Sequence, residues 1–292
     1  MTLSYRPCPL CCSQPSGIAF PYSVSFLNTT FNYLLCSDCR TVFVDPVPDD
    51  LCFSQMYAKS SYHDSHYSTP DLLPYNKAAI LLSQFACHGS TVLDYGCGLG
   101  YFLRAIKSLG FVPHGVEYDA LAANAAASIA QCTVSTIESL GRESSGHLFD
   151  VLHLGDVLEH LPFPFKTLSS LLTHVKVGGL LFVEGPLEIN PSPVYWSARF
   201  FGFLKYRLRP SVTYYGVPTH LFRTTAAAQL KFFTNRFPNL QPLYWNIYET
   251  GWPYAQGNWL KRRIADAAVI IGGKNIAGVQ FGNRFQGIFV VK

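Results

Sequence analysis

The segment VLDYGCGLGYFL, residues 92–103, joins a strand pattern to a helix pattern through three glycines at alternate positions. Thr91–Tyr95 is predicted to be a buried strand, and helical spacing resumes after the last glycine. The three glycines are Gly96, Gly98 and Gly100. Because glycine permits a sharp turn and lets a ligand touch the backbone, we expect a ligand-binding turn at the carboxyl end of this strand.

The next segments predict a parallel sheet. Val112–Val116 has the pattern of a second strand, and an alanine-rich helix is expected over Asp119–Ala130. A strand, a helix and a second strand form a βαβ unit, which is typical of an α/β fold with crossover helices. Glu117 ends the second strand. Since a carboxylate accepts hydrogen bonds at both oxygens, it suits the two vicinal hydroxyls of a ribose.

An NAD-dependent oxidoreductase fits this turn less well. The dinucleotide fingerprint G-x-G-x-x-G requires its third glycine where Tyr101 stands, and Gly100 comes one residue early. A tight turn without a ligand would explain any one glycine. It does not explain the glycines together with Asp94 and Glu117.

LDYGCGLGYFL followed by GVEYD resembles the opening of class I S-adenosylmethionine-dependent methyltransferases. FDVLHLGDVLEHL (149–161) is similar to the fourth strand of that family and the helix after it, and VKVGGLLFVE (175–184) is similar to the fifth strand. The resemblance is close over 91–184 and loose as far as 292. It implies a Rossmann-like, seven-stranded sheet and an enzyme that takes a methyl group from S-adenosyl-L-methionine.

The resemblance also implies which residues contact the cofactor. Asp94, Gly96 and Gly98 are expected beside its methionine part, and Glu117 at its ribose. Tyr118 and Ile137 are expected near the adenine. The implied set is Asp94, Tyr95, Gly96, Gly98, Glu117, Tyr118, Ile137, Leu154 and Gly155, of which Leu154 and Gly155 would lie beneath the sulfonium.

Two CxxC pairs lie near the N-terminus, Cys8 with Cys11 and Cys36 with Cys39. Paired knuckles of this kind predict a tetrahedral thiolate site for Zn²⁺, which would supply folding energy to a segment too small for a large core. Redox or disulfide pairs are the alternative. CPLC followed by LLCSDCRTVFVDPVP is similar to the methyltransferase subgroup with an N-terminal zinc ribbon, which includes small-molecule and sugar methyltransferases.

We therefore predict three parts: a zinc-ribbon module at 1–45, a helical linker or cap at 46–90, and the methyltransferase domain at 91–292. Residues 187–219 form a long connection that is expected to be a substrate lid. The linker is rich in tyrosine and histidine. These side chains could line the entrance to a site, but packing at an interface is the preferred interpretation. These residues are Tyr57, Tyr62, His63, His66 and Tyr67.

Asp156, Glu159 and His160 have the spacing of one helix face after the fourth strand. They could bind a divalent cation such as Mg²⁺ that lowers the pKa of an acceptor. The resemblance to quinone-pathway O-methyltransferases implies such a site, with His160 as a catalytic residue. Alternatively, the two carboxylates favour the helix N-terminus and His160 packs locally.

His220 is a second candidate for a catalytic residue. It precedes a helix predicted from about Thr224 to Phe237. In zinc-ribbon sugar C-methyltransferases a Glu-His pair occupies this place and the histidine is the base, whereas here Thr219 stands in the glutamate position. His220 could otherwise cap or pack that helix. Tyr214 and Tyr215 are predicted to bind substrate.

The composition constrains the partners. A net charge of +4 does not require a nucleic acid, so a small-molecule acceptor is preferred: a sugar, a phenol or quinone precursor, or a glycolipid. An RNA methyltransferase and a non-catalytic scaffold are the alternatives. Apolar and basic residues alternate at helical spacing over 196–209 and 259–271. Such helices could lie on an anionic membrane, although core-facing helices are the preferred interpretation.

Nine cysteines, an odd number, disfavour a complete disulfide framework and predict a reducing compartment. The N-terminal residues lack the pattern of a secretory signal, and no apolar run has the length of a membrane span. We expect a cytoplasmic protein, with peripheral membrane contact left open. The sequence does not indicate an oligomeric state.

Overall fold

The computed structural model describes residues 5–57, 71–139, 148–208 and 215–292, so the predictions for Tyr62, His63, His66, Tyr67 and Tyr214 fall outside the described residues. The strands are β1 (Pro15–Phe26), β2 (Thr29–Cys36), β3 (Val42–Asp45), β4 (Thr91–Tyr95), β5 (Val112–Glu117), β6 (Thr133–Thr136), β7 (Phe149–Gly155), β8 (Val175–Pro186), β9 (Phe222–Arg223), β10 (Leu240–Tyr248), β11 (Asn275–Ile276), β12 (Val279–Gln280) and β13 (Arg284–Val291). The helices are α1 (Asp50–Met56), α2 (Leu73–Leu82), α3 (Tyr101–Ser108), α4 (Ala120–Ala130), α5 (Pro164–Leu172), α6 (Pro193–Leu208), α7 (Ala226–Arg236) and α8 (Trp259–Ile271).

Seven strands form the central sheet in the order β10-β13-β8-β7-β4-β5-β6. Strands β4 to β8 pair in parallel, and β13 runs antiparallel to both β8 and β10. The predicted α/β class and seven-stranded sheet are confirmed. The carboxyl ends of β4, β5 and β7 lie at one edge, where open α/β sheets bind their ligands.

Both faces of this sheet are buried. Val92 and Leu93 are consecutive residues of β4, yet they enter two different hydrophobic clusters. This follows from the period of a strand, in which neighbouring side chains point to opposite faces. Helices cover both faces, as a parallel sheet requires.

A second sheet links the two ends of the chain. Its strand order is β1-β2-β3-β9, and β9 comes from the C-terminal third. Val42 pairs with Arg223, and Phe43 with Phe222. Cys8 and Cys36 lie in the same hydrophobic cluster as the central-sheet residues, so this sheet and its core cross the predicted boundaries at 45 and 90.

The predicted helical linker or cap at 46–90 contains α1 and α2, with described residues ending at 57 and resuming at 71. One local prediction differs from the structure. After β7 the chain forms a 3₁₀ turn at Leu158–His160 instead of an α-helix, since Asp156 takes a left-handed φ of 54° that no α-helix contains. The predicted helix face of Asp156, Glu159 and His160 is therefore wrong.

Helix α6 also differs from prediction. Of its sixteen residues only Val194 is buried, so the preferred interpretation of a core-facing helix is wrong here. Helix α8 buries only Ala265 and Ala268. Within the described ranges, no helix combines the length and hydropathy needed to cross a bilayer. The prediction of a lid at 187–219 stays a prediction.

Candidate active site

The glycine turn between β4 and α3 has the backbone that its sequence predicts. Gly96, Gly98 and Gly100 have φ values of 77°, 54° and 78°, which favour glycine. A Cβ on Gly96 would lie 2.5 Å from Cγ2 of Val157, and one on Gly100 would lie 2.9 Å from the carbonyl oxygen of Ala126. Side chains would thus strain the turn and push apart the segments that it joins.

Glu117 holds this turn against the end of β5. Its Oε2 accepts a hydrogen bond from the amide of Gly98 at 2.7 Å, and its Oε1 accepts one from the amide of Tyr118 at 2.8 Å. Burial raises the pKa of Glu117, although these amide bonds oppose the shift. Oε1 also accepts from the amide of Asp119 at 3.4 Å, so three backbone amides fix the orientation of this carboxylate.

A cleft of ≈ 440 Å³ opens above these carboxyl ends. Seven of the nine predicted cofactor residues line it: Tyr95, Gly96, Gly98, Glu117, Tyr118, Ile137 and Gly155. Asp94 and Leu154 lie beneath it, and both are buried. The N-terminal part of the chain contributes Phe53 and Tyr57 to the wall, which makes Tyr57 a cleft residue. The size and mixed lining suit a small organic ligand.

A buried charge cluster lies under the cleft. Nδ1 of His153 donates to Oδ1 of Asp94 at 2.7 Å, and its Nε2 lies 3.6 Å from Oε1 of Glu184. Burial opposes protonation of His153, but the two carboxylates outweigh burial and raise its pKa to about 9. An imidazolium therefore fixes Asp94 at neutral pH. The sequence analysis did not single out His153.

His220 is held by a carboxylate that the sequence analysis did not identify. Its Nδ1 donates to Oε2 of Glu188 at 2.9 Å, and Nε of Arg223 lies 3.3 Å from the same oxygen. Burial opposes charge on His220, but Glu188 outweighs it and raises the pKa of His220. Burial would raise the pKa of Glu188, yet Arg223 and His220 lower it to about 2.

His160 lies in the cleft wall and contacts His220, with ring centroids 4.8 Å apart. Its Nδ1 donates to the carbonyl oxygen of Thr219 at 2.7 Å, and the Tyr57 hydroxyl donates to the same oxygen at 2.8 Å. A carbonyl only accepts, so the Nδ1 of His160 carries its hydrogen and Nε2 is the basic nitrogen. The structure therefore brings the two predicted catalytic histidines together.

The residues predicted to bind Mg²⁺ are arranged differently. Nη2 of Arg284 donates to both carboxylate oxygens of Asp156, at 2.6 and 2.8 Å. The three groups that could share a metal are instead Glu159, His160 and His220, with ligand atoms within 4.8 Å of one another. Mg²⁺ requires oxygen ligands in octahedral geometry, and this set offers two imidazoles and one carboxylate. This set of donors therefore does not fit Mg²⁺.

Glu159 is buried, and its Oε1 has no hydrogen-bond partner in the described parts of the chain. Burial, with Asp156 second, raises the pKa of Glu159 to about 8. This side chain is therefore mainly a neutral acid at pH 7.

The four N-terminal cysteines converge as predicted. Sγ of Cys8 lies 3.6 Å from Sγ of Cys39, and Sγ of Cys11 lies 3.4 Å from Sγ of Cys36. A tetrahedral ZnS₄ centre with bonds of about 2.3 Å has S···S edges of about 3.8 Å. The cluster therefore has the donors and the dimensions of a structural zinc site, and Cys12 is exposed outside it.

Tyr215 does not join the cleft. It is 86% exposed and forms a bridge with Ser25 of β1. Its predicted contact with substrate stays a prediction.

Residues 70–210 match a family model described as a methyltransferase domain. The ubiquinone biosynthesis O-methyltransferase of Xanthomonas campestris pv. campestris (strain B100) is 28% identical over 144 residues, 47% of this chain and 56% of that protein. The ribosomal protein L11 methyltransferase of Laribacter hongkongensis is 37% identical over 106 residues, 35% of this chain and 34% of that protein. This chain thus spans about half, or less, of the length of these two curated relatives.

Among solved structures, the magnesium protoporphyrin IX methyltransferase of Synechocystis PCC 6803, with bound SAH, has a TM-score of 0.55 to this chain. The alignment covers 84% of this chain and 100% of that one at 13% identity, which shows the fold. The strand order, the glycine turn and the family match all indicate a methyltransferase domain. Residues 70–210 therefore belong to a methyltransferase domain, and the fold is that of the class I methyltransferases.

Proposed function

We propose that this chain transfers a methyl group from S-adenosyl-L-methionine to a small-molecule acceptor with an acidic hydroxyl or carbon. The observation that carries the proposal is one cleft with two functions. The glycine turn and Glu117 form one wall, and His160, backed by His220, forms another. The predicted acceptors are a sugar, a phenol or quinone precursor, or a glycolipid.

The residues of the cleft suit the parts of this cofactor. The backbone at Gly96 and Gly98 lines the cleft, and so does the carboxylate of Glu117, a group that suits ribose hydroxyls because it accepts at both oxygens. Tyr118 and Ile137 are 46% and 38% exposed, and both offer apolar surface to an adenine ring. The bound cofactor would supply a methyl group already activated by its sulfonium. The protein must then orient the acceptor and exclude water.

His220 is proposed to remove the acceptor proton. Its Nδ1 donates to Glu188, so in the neutral ring Nε2 is the basic nitrogen. When Nε2 takes a proton, the carboxylate of Glu188 stabilises the cation and keeps the ring oriented. His160 is the alternative base: it lines the cleft, and its Nε2 is the basic nitrogen because its Nδ1 donates to Thr219.

Substitution of Glu188 by glutamine is expected to shift the pH profile. His220 works as a base only when neutral, so kcat/KM rises as pH rises through its pKa, which Glu188 raises. Loss of that charge lowers the pKa, and the acid limb of the profile moves to lower pH by about 1 unit or more. The plateau rate also falls, since the ring loses its orientation. The profile of kcat/KM between pH 5 and 9 measures both effects.

Asp266→Asn, an exposed acid on α8, is the control and leaves the limb unmoved. A Glu188→Gln profile that superimposes on that of the unmodified protein would show that His220 does not titrate in this step.

Substitution of Gly96 by alanine is expected to weaken cofactor binding. The added Cβ meets Val157 at 2.5 Å and has an unfavourable φ of +77°. We expect the Kd for S-adenosylmethionine to rise at least about tenfold, since the turn must shift away from the ligand. Gly178→Ala is the matched control, because Gly178 has a φ of +80° and nothing within 4 Å of its added Cβ. Calorimetric titration measures both, and equal affinities would contradict the assignment of the turn.

We also propose that Cys8, Cys11, Cys36 and Cys39 bind one structural Zn²⁺. The convergence of four sulfurs supports this proposal. The predicted reducing, cytoplasmic location rests on the odd number of cysteines in the sequence.

A screen of small-molecule acceptors that measures formation of S-adenosylhomocysteine tests the activity. The expected result is turnover with at least one hydroxylated or acidic-carbon acceptor. Turnover on RNA alone would favour the RNA methyltransferase alternative. Binding of S-adenosylmethionine without turnover on any acceptor class would favour a scaffold.

A further inference from the structure

A second cavity, of ≈ 740 Å³, lies between β1 and α6, away from the glycine turn. Its wall is formed mainly by apolar side chains, among them Phe20, Leu35, Trp196, Phe200 and Phe203. The two elements are in direct contact at its side. The rings of Tyr22 and Tyr206 stack with centroids 4.0 Å apart, and the ring of Phe20 lies against Gly202. The cavity is therefore a built feature of the fold.

The helix that forms this wall leaves large apolar side chains in solvent. Trp196 is 50% exposed, Phe200 62% and Leu208 71%. Contact between water and apolar surface is unfavourable, and exposed apolar side chains clustered on one helix mark a binding site. The lining of the cavity continues directly into this exposed face through Trp196 and Phe200.

The charges at the cavity have one sign. Arg40 and Arg199 line it, and both are exposed. Across the described ranges, the ion pairs found include neither of these arginines. Helix α6, which forms this wall, contains no acidic residue. A ligand that satisfies this cavity must combine an apolar chain with an anionic group.

The cavity and the proposed base share elements. Ile189 lines the cavity, and the residue before it, Glu188, holds His220. Val42 also lines the cavity and pairs with Arg223 of β9, whose side chain contacts Glu188. A ligand anchored here would therefore lie on the segments that position the catalytic histidine.

We propose that this cavity binds the apolar chain of a lipid-linked phosphate, with the phosphate paired to Arg40 and Arg199. Two guanidinium groups suit a phosphate, since each offers several donors in a planar fork. The proposal rests on the proposed function, because it assigns the methyl acceptor to the class of anionic amphiphiles. It narrows the three predicted acceptor classes to the lipid-linked one.

Titration with dodecyl phosphate below its critical micelle concentration tests the proposal on the full chain. Isothermal calorimetry is expected to show saturable binding with one site. Arg40→Glu/Arg199→Glu should raise the Kd at least about tenfold. Ala19→Trp, which fills the cavity without a change in charge, should do the same. Lys205→Glu/Arg207→Glu is the matched control, with an equal charge change on α6 outside the cavity, and should change the Kd less than threefold.

Two further ligands separate the contributions of chain and charge. Dodecyl maltoside has the chain without the anion, and inorganic phosphate has the anion without the chain, so both should bind at least tenfold more weakly. Equal weakening by the two charge-reversed pairs would overturn the proposal, as would equal affinity for the maltoside. Binding only to phosphatidylglycerol vesicles, equally reduced in both pairs, would mean adsorption to a membrane surface and would also overturn it.

The affinity for S-adenosylmethionine is measured in every variant and should not change. A failed dodecyl phosphate titration with intact cofactor binding and turnover on a water-soluble acceptor rejects this inference alone. If the unmodified chain does not bind S-adenosylmethionine, the proposed function itself is rejected.

Discussion

Replacement of His220 by alanine is expected to lower kcat by about 10²–10⁴-fold, the usual contribution of a positioned general base. Glu188 accepts the hydrogen on Nδ1 of His220 and raises the pKa of that ring. When the ring is removed, Glu188 does not replace it as the base. His220 is absent from the lining of the cleft around the glycine turn. The Kd for S-adenosylmethionine should therefore remain within about twofold. Single-turnover rates and calorimetry measure the two quantities separately.

His174→Ala controls for loss of an imidazole elsewhere, because His174 ends the segment after α5, outside the cleft lining. His160→Ala distinguishes the two histidines in contact. A larger loss of kcat in His160→Ala than in His220→Ala would reassign the base to His160. An unchanged kcat in His220→Ala would reject His220 as the base.

Replacement of Cys36 by serine is expected to remove zinc and to destabilise the whole protein. Cys36 is fully buried within a cluster that also contains central-sheet residues. Loss of a structural metal belongs to the few changes that cost more than about 4 kcal/mol. For a chain of this size that corresponds to a decrease in Tm of about 6 °C or more. Elemental analysis and thermal denaturation measure the zinc content and the stability.

Activity should fall with stability in this variant. The hydroxyl of Thr41 lies 3.1 Å from Sγ of Cys39 and 3.1 Å from the hydroxyl of Thr224. Thr224 comes four residues after His220, so these contacts connect the cysteine cluster to the segment of the proposed base. Cys87→Ser and Cys12→Ser are matched controls on exposed cysteines, and both should retain one equivalent of zinc. Zinc below half an equivalent in the unmodified protein would reject the metal site.

The sequence was most informative where one local pattern determines the structure. The glycine turn requires positive φ at three positions, and only glycine accepts them readily, so its location could be read directly. Paired CxxC knuckles were equally specific. Seven predicted cofactor residues line one cleft because strand ends in a parallel sheet meet at one edge.

Long-range contacts could not be read in the same way. Glu188 lies 32 residues before His220, and Thr219 at the expected glutamate position concealed the fact that another segment supplies the carboxylate. Asp156 has helical spacing with Glu159, yet it binds Arg284, 128 residues away, and its left-handed backbone ends the pattern. For α6, the periodicity of the sequence predicted an apolar face, but periodicity alone does not determine whether other parts of the protein cover that face.

The pairing of β3 with β9 limits how this chain can be truncated or recombined. Two residues from the C-terminal third complete the sheet that the first 45 residues begin. Deleting that N-terminal segment would leave Phe222 and Arg223 without a neighbouring strand, two residues after the proposed base His220. The first 45 residues are therefore not a detachable accessory: a truncated gene that lacks them would encode a methyltransferase domain whose β9 has no partner strand.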